Sequence, residues 1–386
     1  MQYRTYGTNG FKVSLLGMGC MRLPRIQVPG ASEAQVDKEK AIELIQYAAD
    51  QGVTYFDSAY GYHHMTSESV LGEALDSGGR RNRVKIATKQ PFMVMKTQED
   101  IRRNLENTLK KLRTDHIDMY LIHNLQKTYW EDVKKRKIIE EYEKFRSEGL
   151  IRGIGFSYHG DFPGFKEILS AYAWDMCQIQ QNLLDVDHEA TEEGVKLAGE
   201  KGCGLVIMEP LRGGNLAVPP PPVRAIYDAY PAERSGVEWA FKHLINYPQI
   251  SVILSGMTTL EQLKDNIEIF SRPDAVPNSL SPEEKAILAR VKAQYESMAS
   301  IPCTSCEYCQ PCPQGVRIPD VFSRYNDGVR FGVFKGVRRT YSFLARGNQD
   351  ASHCVECGEC VAKCPQHIEI PRELKVAHEA LTGWVE

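Results

Sequence analysis

Short apolar runs alternate with amphipathic helical patterns along the first 270 residues of this chain. Eight of these runs are predicted to be strands, at residues 15–19, 53–57, 84–89, 117–122, 151–156, 176–179, 205–208 and 252–254. Helical patterns follow most of them, at residues 37–51, 101–112, 130–148, 165–171, 188–201, 233–245 and 260–270. Repeated strand–helix units form a parallel sheet whose faces are covered. The chain is therefore predicted to form an α/β fold, a closed (β/α)8 TIM barrel.

An open doubly wound sheet is the competing architecture. Such a sheet normally has a glycine-rich fingerprint with three glycines directly after its first strand. Here the segment Gly17-Met18-Gly19-Cys20-Met21-Arg22 lacks the third glycine, which favours the barrel. Ahead of it, residues 3–14 alternate around Thr8-Asn9-Gly10, a pattern that predicts an N-terminal hairpin at the barrel bottom.

Composition changes after the barrel pattern ends. Ser281-Pro282-Glu283-Glu284 is typical of a helix start. We therefore predict a barrel at residues 1–280, a connecting helix at 281–298 and a small α-helical domain at 299–386. Within that domain, residues 316–353 are expected to form short helices.

Three smaller segments carry structural expectations. Lys134-Lys135-Arg136-Lys137 is predicted to be a solvated helix face, and the prolines at 219–222 a stiff loop. His63-His64 is predicted to be an exposed loop feature.

Charge and hydropathy argue against several classes of protein. The formal net charge is -3, which gives no electrostatic reason to expect nucleic-acid binding. No apolar stretch is long enough for a membrane helix, and the first residues lack a signal-peptide core. We therefore expect a cytoplasmic protein without nucleic-acid or membrane partners.

Eight of the eleven cysteines fall between residues 303 and 364. Clustered cysteines in a cytosolic chain indicate metal binding and not disulfides. The second run, Cys354-x2-Cys357-x2-Cys360-x3-Cys364-Pro365, has the bacterial ferredoxin spacing. The first run is one residue shorter before its last cysteine, and its cysteines are Cys303, Cys306, Cys309 and Cys312.

This spacing predicts a ferredoxin-like domain with two [4Fe–4S] clusters. In two-cluster ferredoxins the fourth cysteine of each run ligates the other cluster. One cluster is therefore assigned to Cys303, Cys306, Cys309 and Cys364, and the other to Cys354, Cys357, Cys360 and Cys312. Two zinc ions are the alternative, although zinc sites usually come as separated cysteine pairs.

Polar residues end three consecutive barrel strands. Asp57, Lys89 and His123 end the second, third and fourth predicted strands, and Tyr62 follows Asp57 by five residues. The carboxyl ends of the strands form the catalytic face of such a barrel. An ammonium group beside a tyrosine lowers its pKa, and Asp57 could hold Lys89 in place. The set suits protonation of the oxyanion that hydride attack on a carbonyl creates.

The sequence here resembles the aldo/keto reductase family over roughly residues 1–270. The matching segments are Phe56-Asp57-Ser58-Ala59-Tyr60-Gly61-Tyr62, Ile86-Ala87-Thr88-Lys89 and Asp118-Met119-Tyr120-Leu121-Ile122-His123. The resemblance implies that Tyr62 is the general acid, that Lys89 and Asp57 tune it, and that His123 shapes the carbonyl site. It also implies a nicotinamide cofactor, NADP or NAD, bound without a Rossmann domain. Residues 303–319 and 354–371 resemble the C-terminal module of an iron–sulfur subgroup of this family.

The resemblance further implies where the nicotinamide cofactor would bind. Ser157 and Gln178 match positions that contact the carboxamide, and Met208 stands where an aromatic residue commonly stacks on the nicotinamide. Leu211, Arg212, Gly213 and Gly214 match the loop beneath the pyrophosphate. Ser255 and Asn266 lie in the segment that grips the adenosine phosphate, where Gly256 and Gln262 replace the usual Lys and Arg.

Three functions agree with this combination of domains. The first is a carbonyl-type oxidoreductase acting on a small molecule, whose clusters exchange electrons with the barrel site. Because hydride carries two electrons and a cluster passes one, that route needs a converter such as FMN. The second is an NAD(P)H-dependent reductase whose clusters are structural or dock a partner. The third is an electron-transfer protein on a non-catalytic barrel. A redox partner such as a ferredoxin or flavodoxin is expected if the clusters carry electrons.

Overall fold

The computed structural model of this protein describes residues 1–8, 10–31 and 33–383. Its strands are, in chain order, Tyr3–Thr5 (β1), Lys12–Ser14 (β2), Leu16–Gly19 (β3), Arg25–Ile26 (β4), Gln35–Val36 (β5), Tyr55–Asp57 (β6), Lys85–Gln90 (β7), Ile117–Leu125 (β8), Ile151–Tyr158 (β9), Met176–Gln180 (β10), Gly204–Met208 (β11) and Ile250–Ser255 (β12). Eight of them, β3 and β6 to β12, form a closed barrel in which all neighbours are parallel. The predicted (β/α)8 barrel is confirmed.

Helices follow the barrel strands and continue beyond them. They are Lys38–Asp50 (α1), Ser67–Leu75 (α2), Gln98–Leu112 (α3), Lys127–Lys135 (α4), Ile138–Ser147 (α5), Phe162–Ala171 (α6), Thr191–Glu200 (α7), Pro221–Asp228 (α8), Gly236–Ile245 (α9), Leu260–Ser271 (α10), Pro282–Ser297 (α11), Ile318–Phe331 (α12), Phe334–Arg346 (α13), Glu359–Lys363 (α14) and Ile370–Thr382 (α15). Short 3-10 turns lie at Cys20–Arg22, Arg80–Arg83, Arg212–Gly214 and Ala351–His353.

Two apolar layers stabilise the barrel. Side chains alternate along each strand, so that Phe56 packs outward under the helices while Tyr55 fills the barrel interior. On β8, Tyr120 and Ile122 likewise face the helices, and Leu121 faces the interior. The barrel interior is therefore filled largely by apolar side chains, and the polar groups of the predicted site lie at the strand ends.

The antiparallel hairpin β1–β2 precedes the first barrel strand, as predicted. Tyr6 in its loop is fully buried, and its hydroxyl lies 3.2 Å from that of Tyr55, at the start of a barrel strand. Arg4 donates to the main-chain oxygens of Tyr247 and Ile250, both at 2.7 Å. The hairpin therefore closes the end at which the strands begin. Asn9, in the predicted turn, lies outside the described residues.

The described chain divides into two compact units. The first contains residues 1–217 and 235–284, and the second contains residues 218–234 and the chain from Lys285 onward. The second unit has its own apolar core, in which α12, α13 and α15 pack on one another. Its predicted helical character is confirmed, while the boundaries at 280 and 299 stay predictions. The last three residues of the predicted C-terminal domain, 384–386, lie outside the described part.

Two local expectations were wrong. The helix predicted over 130–148 is broken into α4 and α5, because Lys137 adopts a left-handed φ of 52° and Arg136 donates to the main-chain oxygen of Phe92. The proline run does not remain a loop, since α8 begins at Pro221. Within the described residues, no helix is long and apolar enough to cross a membrane.

Candidate active site and cysteine centres

The carboxyl ends of β6, β7 and β8 bring the four predicted catalytic side chains together. Lys89 Nζ donates to Asp57 Oδ1 at 2.5 Å, to the main-chain oxygen of Ser58 at 2.8 Å and to Tyr62 Oη at 3.4 Å. The rings of Tyr62 and His123 meet edge to face, with 6.1 Å between centroids. Parallel pairing of β6 with β7 and of β7 with β8 sets this geometry, because it aligns neighbouring strand ends. The group is one connected polar cluster at the barrel mouth.

Burial controls the protonation of this cluster. Asp57 and Lys89 are almost completely buried. Burial alone would lower the pKa of Lys89, but the Asp57 carboxylate raises it above its ordinary value, so the ammonium persists. Burial raises the pKa of Tyr62, and the Lys89 charge opposes that shift without reversing it. Burial, followed by the Lys89 charge, lowers the pKa of His123 to about 3. At neutral pH the site therefore contains a protonated phenol and a neutral imidazole.

The backbone directly after Tyr62 is strained. His63, His64 and Met65 have φ values of 50°, 53° and 69°, three consecutive left-handed positions without a glycine. His63 is half-buried, and its Nε2 accepts a hydrogen bond from the main-chain N–H of Leu23 at 3.2 Å. Only His64 of the predicted pair is an exposed loop residue, while His63 ties the turn to the chain that follows β3.

A cavity of about 520 Å³ opens beside His123. It is lined by Pro91, Met93, His123, Asn124, Gln126 and His159. His159 follows β9 directly, and its Nδ1 lies 3.1 Å from Glu189 Oε1. Sequence reasoning missed both residues, because it ended the fifth strand at residue 156 and the strand continues to Tyr158. The rule that strand ends carry function, applied to the longer strand, selects His159.

The next strand ends hold the predicted carboxamide contacts. Ser157 in β9 and Gln178 in β10 are buried neighbours, paired in register. Gln178 Nε2 lies 3.8 Å from the sulfur of Met208, at the end of β11. Gln178 Oε1 is buried and has no hydrogen-bond partner among the described residues. A buried amide oxygen without a donor fits a ligand that brings an N–H group, as a carboxamide does.

Some of the residues predicted to contact the cofactor phosphates already have partners within the chain. Beyond Leu211, Gly213 and Gly214 have φ values of 68° and 104° and open space where a side chain would begin, so this loop can approach a phosphate closely. Arg212, however, forms an ion pair with Asp185 at 3.0 Å. Ser255, the last residue of β12, accepts a hydrogen bond at its Oγ from Asn266 Nδ2 on α10 at 3.0 Å, and both residues are buried.

The second unit contains a cavity that both cysteine runs line. Cys303, Cys306 and Cys309 of the first run face it together with Cys364 of the second. Ile318, Phe322 and Ile370 are among its apolar walls. Burial raises the pKa of Cys360, and the neighbouring thiols Cys354, Cys357 and Cys312 raise it further. The cysteines that line the cavity are the four assigned to one cluster from the spacing, and the assignment of both clusters stays a prediction.

The two runs share the positions of their left-handed residues. Left-handed residues precede and follow the second cysteine of each run and recur three residues after its last cysteine, at Ser305, Glu307 and Gly315 in the first run and Glu356, Gly358 and His367 in the second. A helix then begins six residues after each last cysteine, from 312 to 318 and from 364 to 370. Such turns direct main-chain N–H groups inward, which favours an anionic ligand.

Two family profiles match the chain. That of the aldo/keto reductase family covers residues 15–218, and that of the 4Fe-4S dicluster domain covers residues 302–369. Probable aldo-keto reductase 1 of Glycine max is 32% identical over 237 residues, 58% of this chain and 65% of that protein. The chain thus spans slightly less than two thirds of that relative. The uncharacterized oxidoreductase YqkF of Bacillus subtilis is 24% identical over 299 residues, 69% of this chain and 90% of that protein.

Solved structures agree with the barrel. The holo form of an aldo-keto reductase from Bacillus halodurans superposes with a TM-score of 0.62 and 26% identity, over 75% of this chain and 96% of that one. A thermostable aldo-keto reductase in complex with the inhibitor epalrestat gives a TM-score of 0.61 and 25% identity, over 75% of this chain and all of that one.

Proposed function

The chain belongs to the aldo/keto reductase family, and we propose that it is an oxidoreductase that reduces the carbonyl group of a small molecule at the mouth of its barrel. We further propose that its second unit holds two [4Fe–4S] clusters that carry electrons. The observation that carries the first half is the Lys89 ammonium, which contacts both Asp57 and Tyr62. A proton donor and the charge that stabilises its conjugate base lie side by side there.

In the proposed reaction, the carbonyl carbon gains a hydride and the carbonyl oxygen gains a proton. A bound reduced nicotinamide supplies the hydride. Tyr62 Oη donates the proton, and the positive charge of Lys89 stabilises the phenolate that remains. Neutral His123 donates an N–H hydrogen bond that orients the carbonyl oxygen. The product is an alcohol, and solvent returns a proton to Tyr62.

Four chain segments would hold the nicotinamide cofactor, NADP or NAD. The unpaired Gln178 Oε1 and the neighbouring Ser157 fit its carboxamide. Met208 would contact the ring, and the open loop at Leu211, Arg212, Gly213 and Gly214 the pyrophosphate. Ser255 and Asn266 remain the candidates for the adenosine end. FMN is proposed only as the converter that electron exchange with the clusters would require.

We assign clusters and not zinc to the cysteine groups, because residues 302–369 match the 4Fe-4S dicluster domain and the second run has the ferredoxin spacing. Zinc sites usually come as separated cysteine pairs. Exposed Cys306 and Cys357 would place one edge of each cluster within reach of a small redox protein such as a ferredoxin or flavodoxin.

The test uses the full chain purified without oxygen. Tyr62→Phe should lower NADPH- or NADH-dependent reduction of 4-methylbenzaldehyde by roughly 100-fold or more, because the general acid is lost. Tyr60→Phe, on the same turn but with its ring against Lys111, is the matched control. Iron content should stay the same in both variants. Unchanged turnover in Tyr62→Phe would show that Tyr62 is not the general acid.

Metal and cofactor analysis tests the second half. About eight irons with matching sulfide would support two clusters, and zinc in place of iron would contradict them. A flavin released with the iron supports electron exchange with the barrel. Eight irons without flavin would instead favour clusters that are structural or face a partner.

A further inference from the structure

We propose that the carbonyl substrate carries a carboxylate, and that His159 with its partner Glu189 receives this carboxylate in the cavity beside His123. The inference rests on the proposed carbonyl reduction and names its substrate class. It assigns to the barrel mouth a second polar site, separate from the four side chains that handle the proton.

The orientation of the His159 ring is the first observation. Its Nδ1 lies 3.1 Å from Glu189 Oε1, and the Glu189 side chain is only 15% exposed. This pairing leaves Nε2 as the ring nitrogen available to a ligand. Nε2 has no hydrogen-bond partner in the part of the chain that the structure describes, and a third of the side chain is exposed. Nδ1 therefore donates to the Glu189 carboxylate, and Nε2 becomes a second donor, facing the cavity, when the ring is protonated.

The lining of the cavity is the second observation. It contains two imidazoles, two amides, a proline and a methionine, and no carboxylate. Gln126 Nε2 already donates to Asn124 Oδ1 at 3.4 Å, which leaves the Asn124 amide N–H groups for a ligand. Imidazole and amide N–H donors match the oxygens of a carboxylate, while Pro91 and Met93 suit the apolar part of a small substrate.

Charge agrees with this geometry. Burial alone would lower the pKa of His159, but the hydrogen bond and charge of Glu189 raise it above the ordinary value, with a smaller contribution from Glu209 and opposition from Lys89. His123, the other imidazole of the cavity, is neutral at neutral pH because its pKa is about 3. His159 is thus the ionisable cation of this wall. Its charge is present below its raised pKa and is lost as pH rises through it.

The experiment compares two aldehydes of one shape. 4-Carboxybenzaldehyde carries the anion, and 4-methylbenzaldehyde is neutral. We expect the wild type at pH 6 to prefer the carboxylated aldehyde by roughly tenfold or more in kcat/KM, the effect of one charge-assisted hydrogen bond. The preference should decline as pH rises. His159→Gln should abolish it at every pH, and Glu189→Gln should shift its decline to lower pH.

The chain offers a matched control. His116 is also an imidazole whose Nδ1 meets a carboxylate, Asp115 at 2.6 Å, but it lies directly before β8, at the opposite end of that strand. His116→Gln should leave the preference unchanged. Equal kcat/KM for the two aldehydes in the wild type, or a preference that survives in His159→Gln, would overturn the inference.

A binding measurement separates this inference from the proposed reaction. Calorimetry with 4-(hydroxymethyl)benzoate and with 4-methylbenzyl alcohol needs no turnover. Preferential binding of the carboxylate that His159→Gln removes supports the anion site even if the wild type reduces neither aldehyde, in which case only the proposed reaction fails. Turnover of both aldehydes without preferential carboxylate binding would overturn the anion site and leave the proposed reaction standing.

Discussion

The ion pair between Asp57 and Lys89 should contribute strongly to stability only as a pair. Both side chains are nearly inaccessible, at 2% and 1% exposure, and the two charged atoms lie 2.5 Å apart. Lys89→Met would leave the Asp57 carboxylate buried beside an apolar side chain. Asp57→Asn would leave the Lys89 ammonium with only neutral acceptors. Removing one partner of a buried pair costs about 3–5 kcal/mol, so each single variant should lose stability of that order.

The double variant should be more stable than the sum of these losses implies. Replacing both charges removes the uncompensated group, and such replacements are often nearly neutral. We expect Asp57→Asn/Lys89→Met to lose no more than either single variant, which gives a coupling free energy of about 3 kcal/mol or more. Turnover should stay low in all three variants, because the tyrosine no longer has its charged neighbour.

Urea unfolding of the full chain, followed by tryptophan fluorescence, measures these losses. Three of the four tryptophans, Trp130, Trp174 and Trp239, are buried in the first unit. Asp50→Asn is the control, since Asp50 pairs with Arg80 at an exposed site and should cost less than about 1 kcal/mol. Single variants that lose under about 1 kcal/mol, or losses that simply add, would refute the reasoning about a buried coupled pair.

Other predictions test the strained turn and the cysteine centres. Met65→Gly should raise the free energy of unfolding by about 0.5–1 kcal/mol, because φ is 69° there, whereas Met65→Ala should not; lower stability of the glycine variant in urea would contradict this. Burial, and then the charge of Arg25, lower the pKa of His63, so the stability that its neutral ring contributes is present above pH ~6.5 and is lost as pH falls through the lowered pKa. His63→Gln keeps an acceptor that does not titrate, so the free energy of unfolding, measured in urea at successive pH values, should fall less at acid pH than in the wild type. Parallel pH profiles of the two proteins would contradict a stabilising role of the hydrogen bond between Leu23 and His63. Cys312→Ala should remove about half of the iron and one of the two paramagnetic signals of the reduced clusters, the same signal that Cys354→Ala removes. Loss of the signal that Cys303→Ala removes would instead contradict the assignment across runs.

The sequence was informative where one physical rule fixes position. Apolar runs locate barrel strands, and a parallel barrel places all carboxyl strand ends on one face. Asp57, Lys89 and His123 could therefore be placed together from their order alone, and Tyr62 from its distance along the turn. The family and the fold are confirmed, while the roles of these side chains stay proposals.

Features that depend on tertiary contacts could not be predicted in this way. Helical periodicity continues through Arg136, but its hydrogen bond to Phe92 and the left-handed Lys137 break the helix. The Lys89 charge was expected to lower the pKa of Tyr62, yet burial of the phenol raises it, and burial is a property of the folded barrel. His159 escaped notice because two polar-looking residues, Ser157 and Tyr158, continue its strand.

The cavity lined by Cys303, Cys306, Cys309 and Cys364 has a consequence for how the protein is made. Three of its cysteines are translated before α12 and α13, and the fourth, Cys364, is translated after both helices. Iron and sulfide delivered to the nascent chain would meet an open set of three thiols. Neither predicted set of four cysteines is complete until the second run has been translated, so each cluster would depend on both runs being present.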